Sequence, residues 1–309
     1  MLWRTLWASW SLVFWGLALT TVSFGEEGMY HQEIESWRQE RETRLKADDG
    51  WLTIVGLYWL NDGENAIGSG PTNDIILPTG SAPAQIGVFT VQNSTTTFTA
   101  APGVPIRQHG KNIRMATLTP GPGTGAAPDD AVIIGGLTLW LHKSGARSAI
   151  RVRDKASQLR TNFTGCRWFP VDPTYRVTAR FVPYAEPKSV IMANVLGDRE
   201  HYTSPGIVEF ALHGQELRLE PVSSGSDRLF FVFRDGTSGN ESYGAARFLT
   251  TDGPQNGHVI LDFNKAVNPP CAYNPFTSCP LPSKENRLTV RIEAGELDYH
   301  KGGSDGSPH

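Results

Sequence analysis

The sequence predicts an all-β chain: an N-terminal β-sandwich, a second antiparallel β domain and one N-terminal amphipathic helix. Three observations predict it. The 309 residues include 32 Gly, 21 Pro, 14 Phe and 9 Trp, a mixture of turn-formers and aromatics that suits short strands joined by tight turns. Short apolar runs bounded by Gly, Pro, Asn or Asp recur along most of the chain, and only one segment has a helical period. Charge sets a further limit. Lys+Arg number 28 against Asp+Glu 31, a net charge of -3 with no long run of one sign, so no surface is predicted for nucleic acid.

Residues 1–25 read as a secretory signal. Arg4 supplies the positive start, Leu6 to Thr21 is apolar apart from small hydroxyl residues, and Ser23-Phe24-Gly25 puts small residues where a signal peptidase cuts. The apolar stretch is shorter than the roughly 20 residues that span a bilayer, and Glu26-Glu27 follows. An uncleaved anchor is the alternative. The expected location is periplasmic or extracellular, with no membrane contact after cleavage.

Residues 26–50 hold the helix. Ile34, Trp37, Arg41 and Leu45 recur at helical spacing between Tyr30 and Ala47, and Asp48-Asp49-Gly50 ends it. Residues 51–160 form the expected sandwich, with strands at Trp51–Leu60, Ala66–Gly68, Asp74–Leu77, Gly87–Val91, Thr97–Thr99, Asn112–Ala116, Ala131–Ile134, Leu137–Leu141 and Ser148–Val152. Thr119 to Asp130 is a Pro- and Gly-rich exposed loop.

Residues 161–297 form the second β domain. Its strands are expected at Tyr175–Val182, Val190–Ala193, Ile207–Ala211, Gln215–Leu219, Leu229–Phe233, Tyr243–Leu249, Val259–Phe263 and Arg287–Ile292. Leu229–Phe233 is apolar on both faces and is expected at the centre of a sheet. The tail, 298–309, is expected to be disordered.

Cys271 and Cys279 bracket a short loop. In an oxidising compartment this spacing suits a disulfide worth on the order of 2.5 kcal/mol by loop-closure entropy. A zinc site would need two further ligands. Cys166 is left over as a small buried apolar residue.

Side-chain alternation puts Asp262 and Asn264 on one face of the Val259–Asn264 run, and Tyr243 and Arg247 on one face of theirs, with Asp235 closing the preceding strand. If these strands are neighbours, they line a polar pocket. Asp262 would be a base or ligand anchor, Arg247 an anion holder and Asn264 an orienting group, with Asn268 on the following Asn-Pro-Pro-Cys turn and Tyr243 as an acid. The alternative is that Asp262, Asn264 and Asn268 cap turns, and Glu285, in Glu-Asn-Arg, has the same two readings. Arg147, Arg151 and Arg153 alternate along one strand: they hold a carboxylate, sulfate or phosphate group, or they form a solvated face paired with acids.

Other patterns carry no chemistry. Gly302-Gly303-Ser304-Asp305-Gly306 lacks the strand and helix of a nucleophile elbow. Gly121 and Gly123 with Ala126 are interrupted by Pro122 and Pro128 and have no following helix. The histidines stand singly, so neither metal nor cofactor is expected.

Four stretches carry a resemblance: Gly50–Leu60; Arg151-Val152-Arg153-Asp154; Trp168-Phe169-Pro170-Val171-Asp172; and Leu261–Asn264 running through Asn268–Cys271 to Cys279-Pro280 and Glu285–Leu288. Over nearly the whole mature chain they resemble the family called domain of unknown function 1684, which implies relatedness and no activity. Ala66–Ser69 with Asn73–Leu77 resembles the opening of a forkhead-associated β-sandwich. Ser69 stands where phosphothreonine readers of that family place arginine, so phosphopeptide reading is not implied. The expected function is binding of a small polar or anionic ligand or a glycan end. The rivals are a hydrolase or isomerase using Asp262 as base, and an envelope scaffold presenting Trp59 or Trp140.

Overall fold

The computed structural model describes residues 18–121, 125–225 and 227–300, with the backbone alone at 18–24. Most of the expected signal, residues 1–17, lies outside these residues, as does 301–309 of the expected tail with its Gly-x-Ser-x-Gly pattern. Among the described residues no helix is long and apolar enough to cross a membrane. The chain is mostly β with several antiparallel sheets and one long N-terminal helix.

That helix, Ala18–Lys46, begins within the segment read as a leader. Its buried stripe is Tyr30, Ile34, Arg38 and Leu45, so a guanidinium occupies the middle of an otherwise apolar seam. Arg44 and Lys46 sit in the last turn, where cations favour the negative helix end. The turn that follows is tight enough to require Gly50, because a Cβ there would lie 2.3 Å from the Leu45 carbonyl oxygen.

The first half is a sandwich. Its six-stranded sheet runs in the order Ile54–Trp59, Arg147–Asp154, Leu137–Ser144, Val132–Ile134, Ile106–Gln108, Lys111–Ile113. Its five-stranded sheet runs Ile75–Ile76, Gly63–Gly68, Gly87–Gln92, Thr95–Ala100, Met115–Leu118. Alternate residues of both sheets, among them Ile67, Phe89, Phe98, Leu139 and Val152, share one core. The run Asn112–Ala116 is divided between the two sheets, and Ile106–Gln108 is a strand without a strong apolar signal. Trp51–Thr53 is a 3-10 turn before the first strand.

The second half has its own core, drawn from Ala179, Phe210, Phe231, Leu249, Leu261 and their neighbours. A four-stranded sheet runs Gln215–Leu219, Arg199–Leu212, Arg176–Ala193, His258–Asp262, and a three-stranded sheet runs Val222–Ser223, Arg228–Phe233, Arg247–Asp252. Arg228–Phe233 is the middle strand, with Phe231 in this core and Val232 in a smaller cluster on the other face. Tyr175–Val182 and Val190–Ala193 are parts of one strand, whose register against Arg199–Leu212 breaks between Pro183 and Lys188. Pro183 and Pro187 have no N–H to give, and the irregularity absorbs them.

Arg287–Ile292 has the alternation of a strand but is not one. It touches the residues after Phe233 through an isolated Arg234–Arg287 bridge and through Gly236 N–H donating to Val290 O at 2.7 Å. Its later carbonyls are taken by Arg247. That guanidinium, fully buried, donates to Asp235 Oδ2 at 2.5 Å, to Ile292 O at 2.9 Å and to Ala294 O. Residues 298–300, expected in a disordered tail, are packed: Tyr299 stacks on Phe163 and tilts against Tyr273.

Asp235→Ala should lower unfolding free energy in urea by about 3 kcal/mol or more, since it strands a buried guanidinium. Arg180→Ala, which breaks the more exposed pair with Glu209, should cost less than about 1 kcal/mol. Equal losses for the two variants would contradict this assignment.

Candidate functional site

The edge strand His258–Asp262 runs beside the edge strand Arg247–Asp252 without pairing to it, and between them lies a cleft of about 680 Å³. Glu33 and Trp37 of the long helix wall it on one side, and Arg176, Arg228, His258, Asp262 and Lys265 supply its charged and titratable lining together with Asp252.

Asp262 lines the cleft with a side chain only 9% exposed. Its Oδ1 accepts from Tyr30 Oη at 2.8 Å and from the Asn264 amide N–H at 3.2 Å. Asn264 Nδ2 donates to Tyr30 Oη at 2.9 Å and to Asp172 O at 2.8 Å, while Asn264 Oδ1 accepts from Asp172 N–H at 3.0 Å. Asp262 Oδ2 is buried and has no hydrogen-bond partner, the nearest cation being Lys265 Nζ at 3.9 Å. One carboxylate oxygen thus docks the helix, and the other keeps its lone pairs.

Burial, and then the Asp262 carboxylate, push the Tyr30 phenol well above its usual range, so it stays a protonated donor. The Lys265 ammonium holds Glu33 below the ordinary carboxylate range, with their contact at 2.6 Å. Arg176 lies over the Tyr30 ring, 5.4 Å from its centroid.

The pairing of Asp262 with Asn264 arises differently from the strand alternation expected for it. The strand stops at Asp262, which caps the 3-10 turn Phe263–Lys265, and the turn brings Asn264 back to the carboxylate. Arg247 is not in the cleft, because its Nη1 and Nη2 donate to Asp235 and two carbonyls in the interior. Asp235 is likewise committed, accepting from Arg247 and from Thr237. Tyr243 precedes its strand, which starts at Arg247, so no parity relates the two. Its hydroxyl donates to Cys271 O at 3.3 Å.

Asn268 is buried elsewhere, its N–H on Glu296 Oε2 at 2.9 Å and its Nδ2 on Leu297 O at 2.7 Å. Glu285 is exposed in a turn, where its own amide and Ser283 hold its carboxyl low. The arginine row is not a solvated face. Arg147 alone is exposed, stacked on Trp59 and paired with Asp198. Arg153 is buried, donating to Thr53 Oγ1, Asp49 O and Gly125 O. Arg151 is fully buried with two guanidinium nitrogens unpartnered. Trp140 is buried and Trp59 is covered by Arg147, so neither presents an open aromatic face. Ser69 Oγ donates to Ala82 O at 2.7 Å and serves its own loop.

Tyr30, Glu33, Arg176, Arg228, His258 and Lys265 were not singled out from the sequence. Only the exposure of Arg176 and Arg228 on strands next to buried neighbours marks them in retrospect. Cys271 and Cys279 are free thiols, so the expected disulfide is not formed in this structure. Among the described residues no group of three or more His, Cys, Asp and Glu side chains is arranged to hold a metal ion.

Residues 161–297 match the family described as a protein of unknown function, DUF1684. The chain belongs to that family. It is similar to the solution NMR structure of an uncharacterized protein of Haloarcula marismortui, 33% identical over 45% of this chain and 78% of that one, with a TM-score of 0.38. No curated protein matches. The DUF1684 segment contains every cleft residue except Glu33 and Trp37. Gly50–Leu60 and Arg151–Asp154, which resemble the family by sequence, lie outside the matched span.

The DUF1684 segment also buries Glu296, 1% exposed, whose carboxyl burial pushes up. An acid with a raised folded pKa is most stable at pH below its ordinary range, and that stability declines as pH rises through the folded value. Glu296→Gln keeps an acceptor for the Asn268 amide and removes the titration. Its urea midpoint relative to the parent should therefore climb between pH 5 and pH 8 by an amount on the order of the linkage of one shifted group; a flat difference would refute the buried acid.

Proposed function

We propose that this protein is an exported binding protein whose cleft holds a small molecule carrying both an anionic group and a hydroxyl or ammonium donor. The observation that carries this reading is Asp262, which lines the cleft and whose Oδ2 is buried with no hydrogen-bond partner. A buried carboxylate oxygen without a donor is costly unless something supplies one. Arg176 and Arg228, exposed at the same cleft, add two guanidinium groups suited to a carboxylate or phosphate. Glu33 is already paired with Lys265, and Arg176 and Arg228 then stand with the carboxylates of Asp252 and Asp262, a balance that suits a ligand carrying both signs. The lining is polar and open to water, which suits a sugar acid, hydroxy acid or amino acid better than an apolar compound. Export rests on the charged start, apolar stretch and small residues of positions 1–25. An acid–base pair of Asp262 with Tyr243 has no support, since that phenol bonds Cys271 O instead.

The test is calorimetric titration and thermal shift of the mature protein against a panel of sugar acids, hydroxy carboxylates and amino acids. At least one class should bind. Asp262→Asn lets the amide oxygen keep the Tyr30 bond and puts an N–H where the free acceptor stood, so affinity should fall about tenfold or more with little change in melting temperature. Arg228→Ala should weaken binding several-fold and flatten its salt dependence. Binding unaffected by Asp262→Asn, or no ligand anywhere in the panel, would sink the proposal.

A further inference from the structure

A second polar cluster lies where the loop 271–279 meets the six-stranded sheet, and the cleft does not use it. Cys271 N–H donates to Cys279 Sγ at 3.2 Å, and Thr277 Oγ1 lies 3.6 Å from the same sulfur. Beside them is Arg151, whose guanidinium is fully buried, with Nε and Nη1 unpartnered. Its Nη2 reaches only His142 Nε2, at 3.5 Å, and that nitrogen also faces Ser278 Oγ at 3.3 Å. Burial, and then Arg151, lower His142 to about 4, so the imidazole is neutral and gives the arginine no charge to pair with. The charges that bear on Arg151 are the Cys279 sulfur, in the favourable sense, and Arg153 in the unfavourable one. Tyr202 and Tyr243 face the same sulfur and stay protonated.

A buried guanidinium without a carboxylate is costly. A thiolate is the one anion this site can make from its own atoms. We propose that Cys271 and Cys279 form a reversible thiol–disulfide exchange site, in which the Cys279 sulfur sits among the Cys271 and Thr277 donors with the buried Arg151 guanidinium nearby, and half-buried Cys271 is the sulfur that outside thiols reach.

The two cysteines share one proton in the reduced form. Contact with Cys279 and burial push the Cys271 thiol up, while the donors around Cys279 outweigh its burial and hold it below the usual thiol range. For the oxidised form, an external thiolate attacks Cys271 Sγ, the S–S bond breaks, and Cys279 leaves as the thiolate beside Arg151. A second external thiolate attacks the mixed disulfide, releasing the external disulfide and Cys271, which takes a proton. Two electrons pass from two small thiols to the pair. The reverse direction uses a small disulfide, such as glutathione disulfide, as oxidant. A low-pKa leaving sulfur speeds reduction, and stabilising the reduced thiolate makes the disulfide more oxidising than a structural one.

The test is equilibration of the full chain in glutathione buffers, with the disulfide fraction read by alkylation and mass. Reduction by millimolar glutathione, with half-oxidation inside the range of those buffers, is expected. Arg151→Met should shift the equilibrium toward disulfide tenfold or more, about 30 mV for a two-electron couple, and Arg151→Lys should recover part of the shift. In Cys271→Ser, thiolate absorbance should show Cys279 titrating below an ordinary thiol, which keeps the proposal testable if Arg151→Met does not fold. A disulfide that resists glutathione, no disulfide at all, an unshifted Arg151→Met, or an ordinary thiol pKa for Cys279 would each overturn it. None of these readouts depends on whether the cleft binds a ligand.

Discussion

The C-terminal segment is held by one buried cation. Arg247, on the edge of the three-stranded sheet, ties Asp235 at the end of the neighbouring strand to the carbonyls of Ile292 and Ala294. Without that guanidinium, residues 287–296 would leave buried carbonyls with no ladder to satisfy them. The same segment then positions Glu296, whose carboxylate takes the Asn268 amide and approaches Arg41 of the helix at 3.8 Å. Asn268 leads directly into the Pro-Pro turn and the cysteine loop. A single ion pair therefore supports the end of the chain, the base of the helix and the loop that carries the two thiols.

The helix and the cleft depend on the same carboxylate. Asp262 docks the helix through Tyr30 with one oxygen and keeps the other buried and without a hydrogen-bond partner. Lys265 repeats the arrangement, bridging to Glu33 on the helix from the turn beside Asp262. Helix seating and site geometry are thus coupled, and whatever loosens the helix would also free the acid. The polar groups of the seam explain why it tolerates Arg38 among apolar neighbours: its Nη2 donates to Phe169 O at 2.9 Å and its guanidinium lies over Trp168.

Strand content was legible because period-two alternation depends only on neighbouring residues. Leu137–Leu141, Ser148–Val152 and Leu229–Phe233 form strands where alternation or continuous apolarity places them. Arg287–Ile292 shows the limit, since its alternation is real but its backbone partners are a guanidinium and a loop. Tyr243 was misplaced by the same rule, applied beyond the true start of the strand. At the site, Asp262 and Asn264 were recognisable as a pair, though a capped 3-10 turn rather than strand parity joins them. The arginine row had the right spacing, but spacing along a strand does not say whether its polar face meets water or another element, and here Arg151 and Arg153 are covered.

The sequence by itself determined the β architecture, the helix, the closeness of Cys271 to Cys279 and the local pairing of Asp262 with Asn264, because each depends on side chains a few residues apart. Tertiary structure decided which charges meet. Tyr30 and Asp262 are 232 residues apart in sequence, and Arg247 chose Asp235 over Asp262 because burial leaves a guanidinium no water to fall back on. Partner choice among distant charged groups is set by which sheet edges adjoin and how deeply they are covered, and neither is written in any local stretch of the chain.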